Sequence, residues 1–348
     1  MVDSRRGFTR ASALGPIADF VEQRGGNINR VFQRVDMPVG ILETPDLAVP
    51  LQEQFRVLRS AGREIADPFL GARLGRLVRI ENLSAFGRWV SQAHTLLDAI
   101  DRSNRGLNLY LQTGTTLKLS RQQGVACWSI EFHDRGYEGR FQNELLGVSY
   151  LIDVVRCFAG RGWAPDLIRV TGTGSNQATA LENIFEAPVL AGNRVSSIEF
   201  NASLLNVGNA SCRPGAFATS LNEPASEKIP PEQDEIEAIT ALVSVAMVDG
   251  YPRIDWIASK MGMTRRTLQR KISDHGTTFS RLLADQLRSR ATALLAGDES
   301  SITEIAFQLG YGDAAHFSRA FSRWTGMSPR EYQRQLWHFS TTTPCGRY

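Results

Sequence analysis

Between residues 252 and 333 one arrangement occurs twice, and it leaves that part of the chain few ways to fold. Each copy is an apolar-periodic segment, a glycine turn and a second helical segment. In the first, Ile254, Ile257, Ala258 and Met261 precede Gly262, and Thr264 is placed to cap Arg265-Arg266-Thr267-Leu268-Gln269-Arg270-Lys271-Ile272. In the second, Ser301 and Glu304 have capping-box spacing, Ile302, Ile305, Ala306 and Leu309 repeat the apolar stripe, and Gly310 closes the helix. Asp313 can then cap a helix from 314 to 324 that stops before Gly326 and Pro329. Helix, short glycine turn, helix is the helix-turn-helix plan, here over about 253–274 and about 301–324, and its second helix is the one that enters a major groove. The copies are joined by residues 279–295, where Leu282, Leu283, Leu287, Ala291, Leu294 and Leu295 form one apolar side. A rod of about 17 residues is ~25 Å long. With its turns it is expected to set the two recognition helices ~34 Å apart, one turn of B-DNA.

In the first recognition helix Leu268 and Ile272 share a stripe, and Arg266, Gln269, Arg270 and Ser273 fall opposite. Forked Arg and Gln side chains match the donor and acceptor pattern of base edges. A solvated basic face would carry the same residues; the second copy downstream decides between the two. Arg266, Gln269 and Arg270 are therefore base-reading candidates, and Thr264, Arg265 and Lys271 phosphate candidates. In the second unit Ala314 and Ala315 offer at most a methyl contact to thymine. His316, Ser318 and Arg319 are the remaining base-reading candidates there, and Arg323 a backbone contact.

The stretch resembles the DNA-binding domain of the AraC family of bacterial transcription regulators. It matches in Ile257-Ala258, Met263-Thr264-x-Arg266-Thr267-Leu268-Gln269-Arg270, Gly276-x-x-Phe279 and Ile302-x-x-Ile305-Ala306-x-x-Leu309-Gly310-Tyr311. The longest match is Phe317-Ser318-Arg319-Ala320-Phe321-x-Arg323-Trp324-x-Gly326-x-Ser328-Pro329-x-x-Tyr332. The resemblance implies promoter DNA as partner, and RNA polymerase if the protein is an activator. Two positions depart from the family pattern: Leu287, where a basic residue is usual, and Ala315, where a small hydroxyl residue is common.

The net charge of +3 on 348 residues argues little by itself. Its placement says more. Lys260, Arg265, Arg266, Arg270, Lys271, Arg281, Arg288 and Arg290 are opposed over that span only by Asp274 and Asp285, as a phosphate backbone would require. Cys127, Cys157, Cys212 and Cys345 have no metal-ligand spacing and fit a reducing compartment. Ser4-Arg5-Arg6-Gly7-Phe8-Thr9 has the look of a twin-arginine signal, but Asp19 and Glu22 break the apolar run that should follow. No apolar run is long enough to span a bilayer, and the expected location is the cytoplasm.

Upstream, residues 14–34, 51–66, 95–110, 144–158 and 179–185 read as helices, and 168–171 and 195–200 as short strands. Residues 115–120 and 125–132 flank Arg121-Gln122-Gln123-Gly124 as a hairpin in which Trp128, Ile130 and Phe132 alternate with Ser129, Glu131 and His133. The fold class is an α+β N-terminal domain, a mixed sheet with helices, followed by an all-α C-terminal domain. Asp67-Pro68-Phe69-Leu70-Gly71-x-Arg73-Leu74-Gly75, Thr95-Leu96-Leu97-Asp98-Ala99 and Phe185-x-Ala187-Pro188-Val189 are similar to the arabinose-binding-like sensor domain of one AraC subgroup. That resemblance implies a small-molecule sensing and dimerising domain, hence an effector and a homodimer, without implying arabinose. Trp128, Glu131 and His133 are the candidate effector contacts. Gly71, Gly75 and Gly172-Thr173-Gly174 read as turns, the last lacking any phosphate-loop spacing.

The organisation expected is a flexible N-terminus over 1–14, an effector and dimerisation domain over 15–205, a proline-rich linker over 206–233, the DNA-binding domain over 234–340 and a tail over 341–348. No catalytic constellation, metal set or cofactor motif stands out, so an enzyme is not expected. The alternatives are a DNA-binding protein whose first domain only dimerises, and an enzyme-linked regulator such as a repair methyltransferase fusion. The latter lacks a recognisable reactive cysteine motif.

Overall fold

The computed structural model describes residues 7–134, 138–172, 175–209, 224, 228–232, 234–297 and 300–341, and the chain divides into two units, Met1–Asp234 and Glu235–Tyr348. In the first, alternation along Val125–Phe132 (β4) does what its pattern demands: Ala126, Trp128, Ile130 and Phe132 are buried on one face. It pairs antiparallel with Thr115–Gln122 (β3) across the tight turn Gln123-Gly124, both residues at positive φ, as a two-residue hairpin turn requires. Leu167–Arg169 (β5), Val189–Leu190 (β6) and Ser196–Asn201 (β7) complete a sheet of order β3-β4-β7-β5-β6, parallel only between β5 and β6. The sheet is mixed, and the class is α+β.

Around it stand Ile17–Glu22 (α1), Ile28–Arg34 (α2), Leu51–Glu64 (α3), Leu70–Gly75 (α4), Ala85–Ser91 (α5), Leu96–Gly106 (α6), Arg140–Ala159 (α7) and Ser175–Phe185 (α8). α7 is apolar nearly all round because it packs on the sheet and on α3, α4 and α6 together. The helix expected over 14–34 is interrupted at Gly25-Gly26, Gly25 holding φ +76°, and becomes α1 and α2. The one expected over 95–110 leaves α-geometry after Gly106, where Leu107–Leu111 forms a wider turn closed by Gln112 N–H donating to Leu107 O at 2.8 Å.

Gly71 and Gly75 are not turn residues. They lie on one face of α4, where a Cβ would sit 1.9 Å from Gln142 O and 1.9 Å from Ser149 Oγ of α7. The Asp67 to Gly75 motif is thus a close helix–helix contact, with Asp67 Oδ1 accepting from Phe69 N at 2.9 Å and Asp67 pairing with Arg73 at 3.0 Å.

Two expectations about the ends of this unit are corrected. Phe8–Arg10 (β1) is not loose: it pairs with Ala48–Pro50 (β2), and Phe8, Thr9 and Arg10 are buried. Phe8 N–H donates to Thr113 Oγ1 at 2.9 Å, and Arg10 Nε to Tyr110 O at 2.6 Å. The described ends of the 206–233 stretch are likewise held. Asn209 N–H donates to His94 O at 2.9 Å, and Ile229, itself buried, donates its N–H to Leu109 O at 2.9 Å. Thr113 Oγ1 donates to Pro230 O at 3.2 Å, and the His133 ring meets the Glu232 carboxylate at 3.3 Å. Composition read this segment as a linker because one buried isoleucine carries no periodicity. Residues 210–223, the Ser4-Arg5-Arg6 stretch, Thr173, Gly174, Cys212, Cys345 and the tail beyond Thr341 lie outside the described residues.

The second unit is all-helical: Glu235–Ala246 (α9), Ile254–Lys260 (α10), Arg265–Asp274 (α11), Phe279–Ala296 (α12), Ile302–Gln308 (α13), Ala314–Thr325 (α14) and Pro329–Thr341 (α15). α12 packs against α9, α13, α14 and α15, burying Leu283, Leu287, Ala291 and Leu295. Its 18 residues make a rod of ~27 Å. Among the described residues no helix is long and apolar enough to cross a membrane.

Candidate nucleic-acid interface and interior cavity

α11 is fixed from below by Leu268 and Ile272, both buried, and from its start by Thr264, whose Oγ1 accepts the Thr267 N–H at 3.2 Å. The turn from α10 is closed by Met263 N–H donating to Ala258 O at 2.9 Å. Arg266, Gln269, Arg270 and Ser273, at i, i+3, i+4 and i+7, are exposed together on the far side.

The second unit repeats the construction. Glu304 N–H donates to Ser301 Oγ at 3.2 Å and Ser301 N–H to Glu304 Oε2 at 2.7 Å, a reciprocal box at the start of α13. Those bonds from Ser301 hold the Glu304 carboxyl below its ordinary range. Gly310, at φ +79°, makes the turn; a Cβ there would lie 2.8 Å from Tyr251 N. Asp313 caps α14 by accepting His316 N–H at 2.6 Å. Phe317, Ala320 and Phe321 are buried, and Tyr311 packs on Phe317 at 5.7 Å and Trp324 at 6.5 Å. Burial raises the Tyr311 phenol to about 12, with Tyr251 adding to the shift.

The proposed contacts do not all present alike. Arg266, Gln269, Arg270, Arg319 and Arg323 are exposed on their helices. Arg265 is exposed, 3.7 Å from the equally exposed Asp255. Lys271 is different: it is half-buried and donates Nζ to Glu235 Oε1 of α9 at 2.5 Å, so it serves the packing of α11 before any phosphate. Ser318 Oγ is spent on Ala314 O at 2.7 Å and is half-buried, whereas His316 is exposed and packs edge-on to Tyr311 at 5.5 Å. Within the basic cluster, Lys260 is buried with its ammonium 5.5 Å from the Trp256 ring centroid, and Arg290 donates to Met247 O at 3.0 Å. Both are structural. Leu287 departs from the family pattern because it is a core residue of α12, 2% exposed.

In the first unit the sheet and helices line a cavity between β4, α7 and the Leu107–Leu111 turn. Trp128 lines it, its Nε1 donating to Asn104 Oδ1 at 3.1 Å. Glu131 and His133 do not. Strand alternation puts them on the opposite face, where His133 Nε2 lies 2.8 Å from Thr116 Oγ1. Sequence reasoning also missed Gln54 and Asn143, which line the cavity and join there, Gln54 Nε2 donating to Asn143 Oδ1 at 2.7 Å. The available signal was one polar residue, Gln54, within the apolar stripe of Leu51, Phe55 and Leu58. Among the described residues no group of three or more His, Cys, Asp or Glu side chains could hold a metal ion.

Residues 25–208 match the family described as the arabinose-binding domain of AraC transcription regulators, N-terminal, and residues 257–335 match a helix-turn-helix domain family. The chain is similar to the HTH-type transcriptional regulator VirS of Mycobacterium tuberculosis, 23% identical over 327 residues that cover 93% of this chain and 96% of VirS. It is also similar to the HTH-type transcriptional regulator VqsM of Pseudomonas aeruginosa, 29% identical over 161 residues, 45% of this chain and 50% of VqsM. The crystal structure of the transcriptional regulator CdpR from Pseudomonas aeruginosa aligns over 90% of this chain and 98% of its own, at 22% identity and a TM-score of 0.41, too distant to add to the argument. The sensor-type match covers more than half of the chain and the helix-turn-helix match follows it in the order the two units have here, so the protein belongs to the AraC family of DNA-binding transcription regulators.

Proposed function

We propose that this regulator reads its site chiefly through α11 and answers to a small effector held in the cavity of the first unit. The observation that carries the first half is one exposed face bearing Arg266, Gln269 and Arg270, three forked side chains held on a capped helix. α14 brings Arg319 and His316 to bases and Arg323 to the backbone, with the methyls of Ala314 and Ala315 beside them; Ser318 contributes little. Thr264 and Arg265 contact phosphate. The cavity, with its mostly apolar lining and a few polar groups, has the character of a small-molecule site and supports the second half. The regulator acts as a homodimer in the cytoplasm, with RNA polymerase as a further partner if it activates, and carries out no catalysis of its own.

The test uses an operator selected by the full-length protein from random duplexes, and then all its single-base variants. A good bidentate pair discriminates by ~1–3 kcal/mol, so Arg266→Ala and Arg270→Ala are expected to flatten the preference at one or two positions of one half-site. Equal loss on every variant would show that these arginines touch only phosphate.

A further inference from the structure

We infer that the cavity of the first unit takes an uncharged, mainly apolar molecule with a hydrogen-bond donor at one end, anchored on the Gln54 side chain. This rests on the reading that an effector binds there, and it narrows what that effector is. Among the described residues that line the cavity none is Asp, Glu, Lys, Arg or His. Most of the wall is aliphatic or aromatic, with Ile80, Leu83, Phe86, Leu146 and Val154 prominent. A carboxylate or ammonium entering it would leave water without meeting an opposite charge, which is strongly unfavourable. A sugar would need a partner for each hydroxyl. The Ser103 hydroxyl already donates to Ala99 O at 2.8 Å, and the Gln112 amide donates to Thr115 Oγ1 at 2.7 Å.

Gln54 carries the buried unpaired atom of this lining. Its side chain is 3% exposed, its Nε2 is used on Asn143 Oδ1, and its Oε1 has no hydrogen-bond partner. With Gln54 Nε2 donating to Asn143 Oδ1 the unpaired atom is an acceptor; turning both amides over together would make it a donor, and an ether, which can only accept, separates the two. An orphaned buried acceptor on a cavity wall costs stability until something donates to it. One hydroxyl or amide N–H at the end of an apolar body meets that need, and the rest of the wall favours the apolar body.

The probes are octanol, heptyl methyl ether of equal length but without an O–H, octanoate, octylammonium and L-arabinose. Each is added to the full-length protein and to Gln54→Leu combined with Asn143→Leu, which removes both members of the buried amide pair, with calorimetric binding and unfolding midpoints as readouts. The double variant has lost the orphaned acceptor together with its Asn143 partner, so no buried amide atom is left behind and it is expected to unfold close to the wild-type midpoint; Gln54→Met with Asn143→Leu replaces it if the leucine branch does not fit. Wild type is expected to bind octanol about five- to tenfold more tightly than the ether, the worth of one hydrogen bond. In the variant that preference disappears. Octanoate and octylammonium are expected to bind at least tenfold more weakly than octanol, and arabinose not at all. Tighter binding of either ion or of the sugar, or an alcohol preference that survives in both variants, overturns the inference while leaving an effector in this cavity. If no probe binds wild type, the inference and the effector reading fall together, and the DNA-binding role stands.

Discussion

Arg265 and Lys271 are both cations of α11, yet their surroundings assign them opposite behaviour on DNA. Arg265 shares only an exposed, 3.7 Å pairing with Asp255, a type of contact worth ~0–1 kcal/mol and readily exchanged for a phosphate. Lys271 is half-buried and bonded to Glu235 at 2.5 Å; giving up that charge-assisted bond costs about 1–3 kcal/mol, which a phosphate contact would first have to offset. Each phosphate neutralised adds about 0.9 to the slope of log K against log salt. Arg265→Ala should therefore lower the slope by about 0.9 per DNA-binding domain. Between 50 and 200 mM salt that is a factor of about three and a half in how far affinity falls. Lys271→Met combined with Glu235→Gln, which removes the pair without leaving a lone carboxylate, should leave the slope unchanged. Fluorescence anisotropy with a mixed-sequence duplex suffices, because non-specific binding is almost wholly this term. A double variant that loses as much slope as Arg265→Ala would show that Lys271 leaves Glu235 for DNA, and the division of the basic cluster into structural and free cations would be wrong.

Three further outcomes are expected. Ser318→Ala should change operator affinity less than twofold, since its hydroxyl is spent on Ala314 O, while Arg319→Ala weakens binding clearly; titration of both on the selected operator compares them. Gly326→Ala, at φ +78° with open space, should cost about 1 kcal/mol, and Gly310→Ala, at φ +79° and facing Tyr251 N at 2.8 Å, about 3 kcal/mol, measured by urea unfolding. The Glu304 carboxyl is held below its ordinary value of 4.5 by the Ser301 bonds, so the cap's contribution is complete above that value and is lost as pH falls through the depressed one. Helical signal followed down that range should fall less steeply in Glu304→Gln than in wild type.

The second unit was legible almost to the residue because its local signals agree. The caps at Thr264, Ser301 and Asp313, the stripes ending at Ile272 and Leu309, and the glycines at 262 and 310 all mark the same boundaries. What stayed hidden were partners distant in sequence. Nothing near Lys271 announces Glu235, and nothing near Gln54 announces Asn143. In the first unit the strands Phe8–Arg10 and Ala48–Pro50 are three residues each, too short for alternation to register. The pairing of Glu131 and His133 with Trp128 failed for a simpler reason: successive strand residues face opposite ways, so the neighbours of a cavity residue are not themselves in the cavity.

The fastening of Ile229 to Leu109 has a consequence for reach. Judged by composition, the second unit would trail from a leash of some 28 residues, counted from 206 to 233. Ile229, Pro230 and Glu232 are instead all bonded to the first unit, and α9 begins at Glu235, three peptide steps after Glu232. At ~3.3–3.6 Å per residue those three steps cover at most about 11 Å. Residues added before Ile229 therefore lie upstream of these bonds and add nothing to the three-step connection. A single residue added between 232 and 235 lengthens that connection itself, and in the homodimer proposed above it is expected to widen the range of half-site separations the protein accepts.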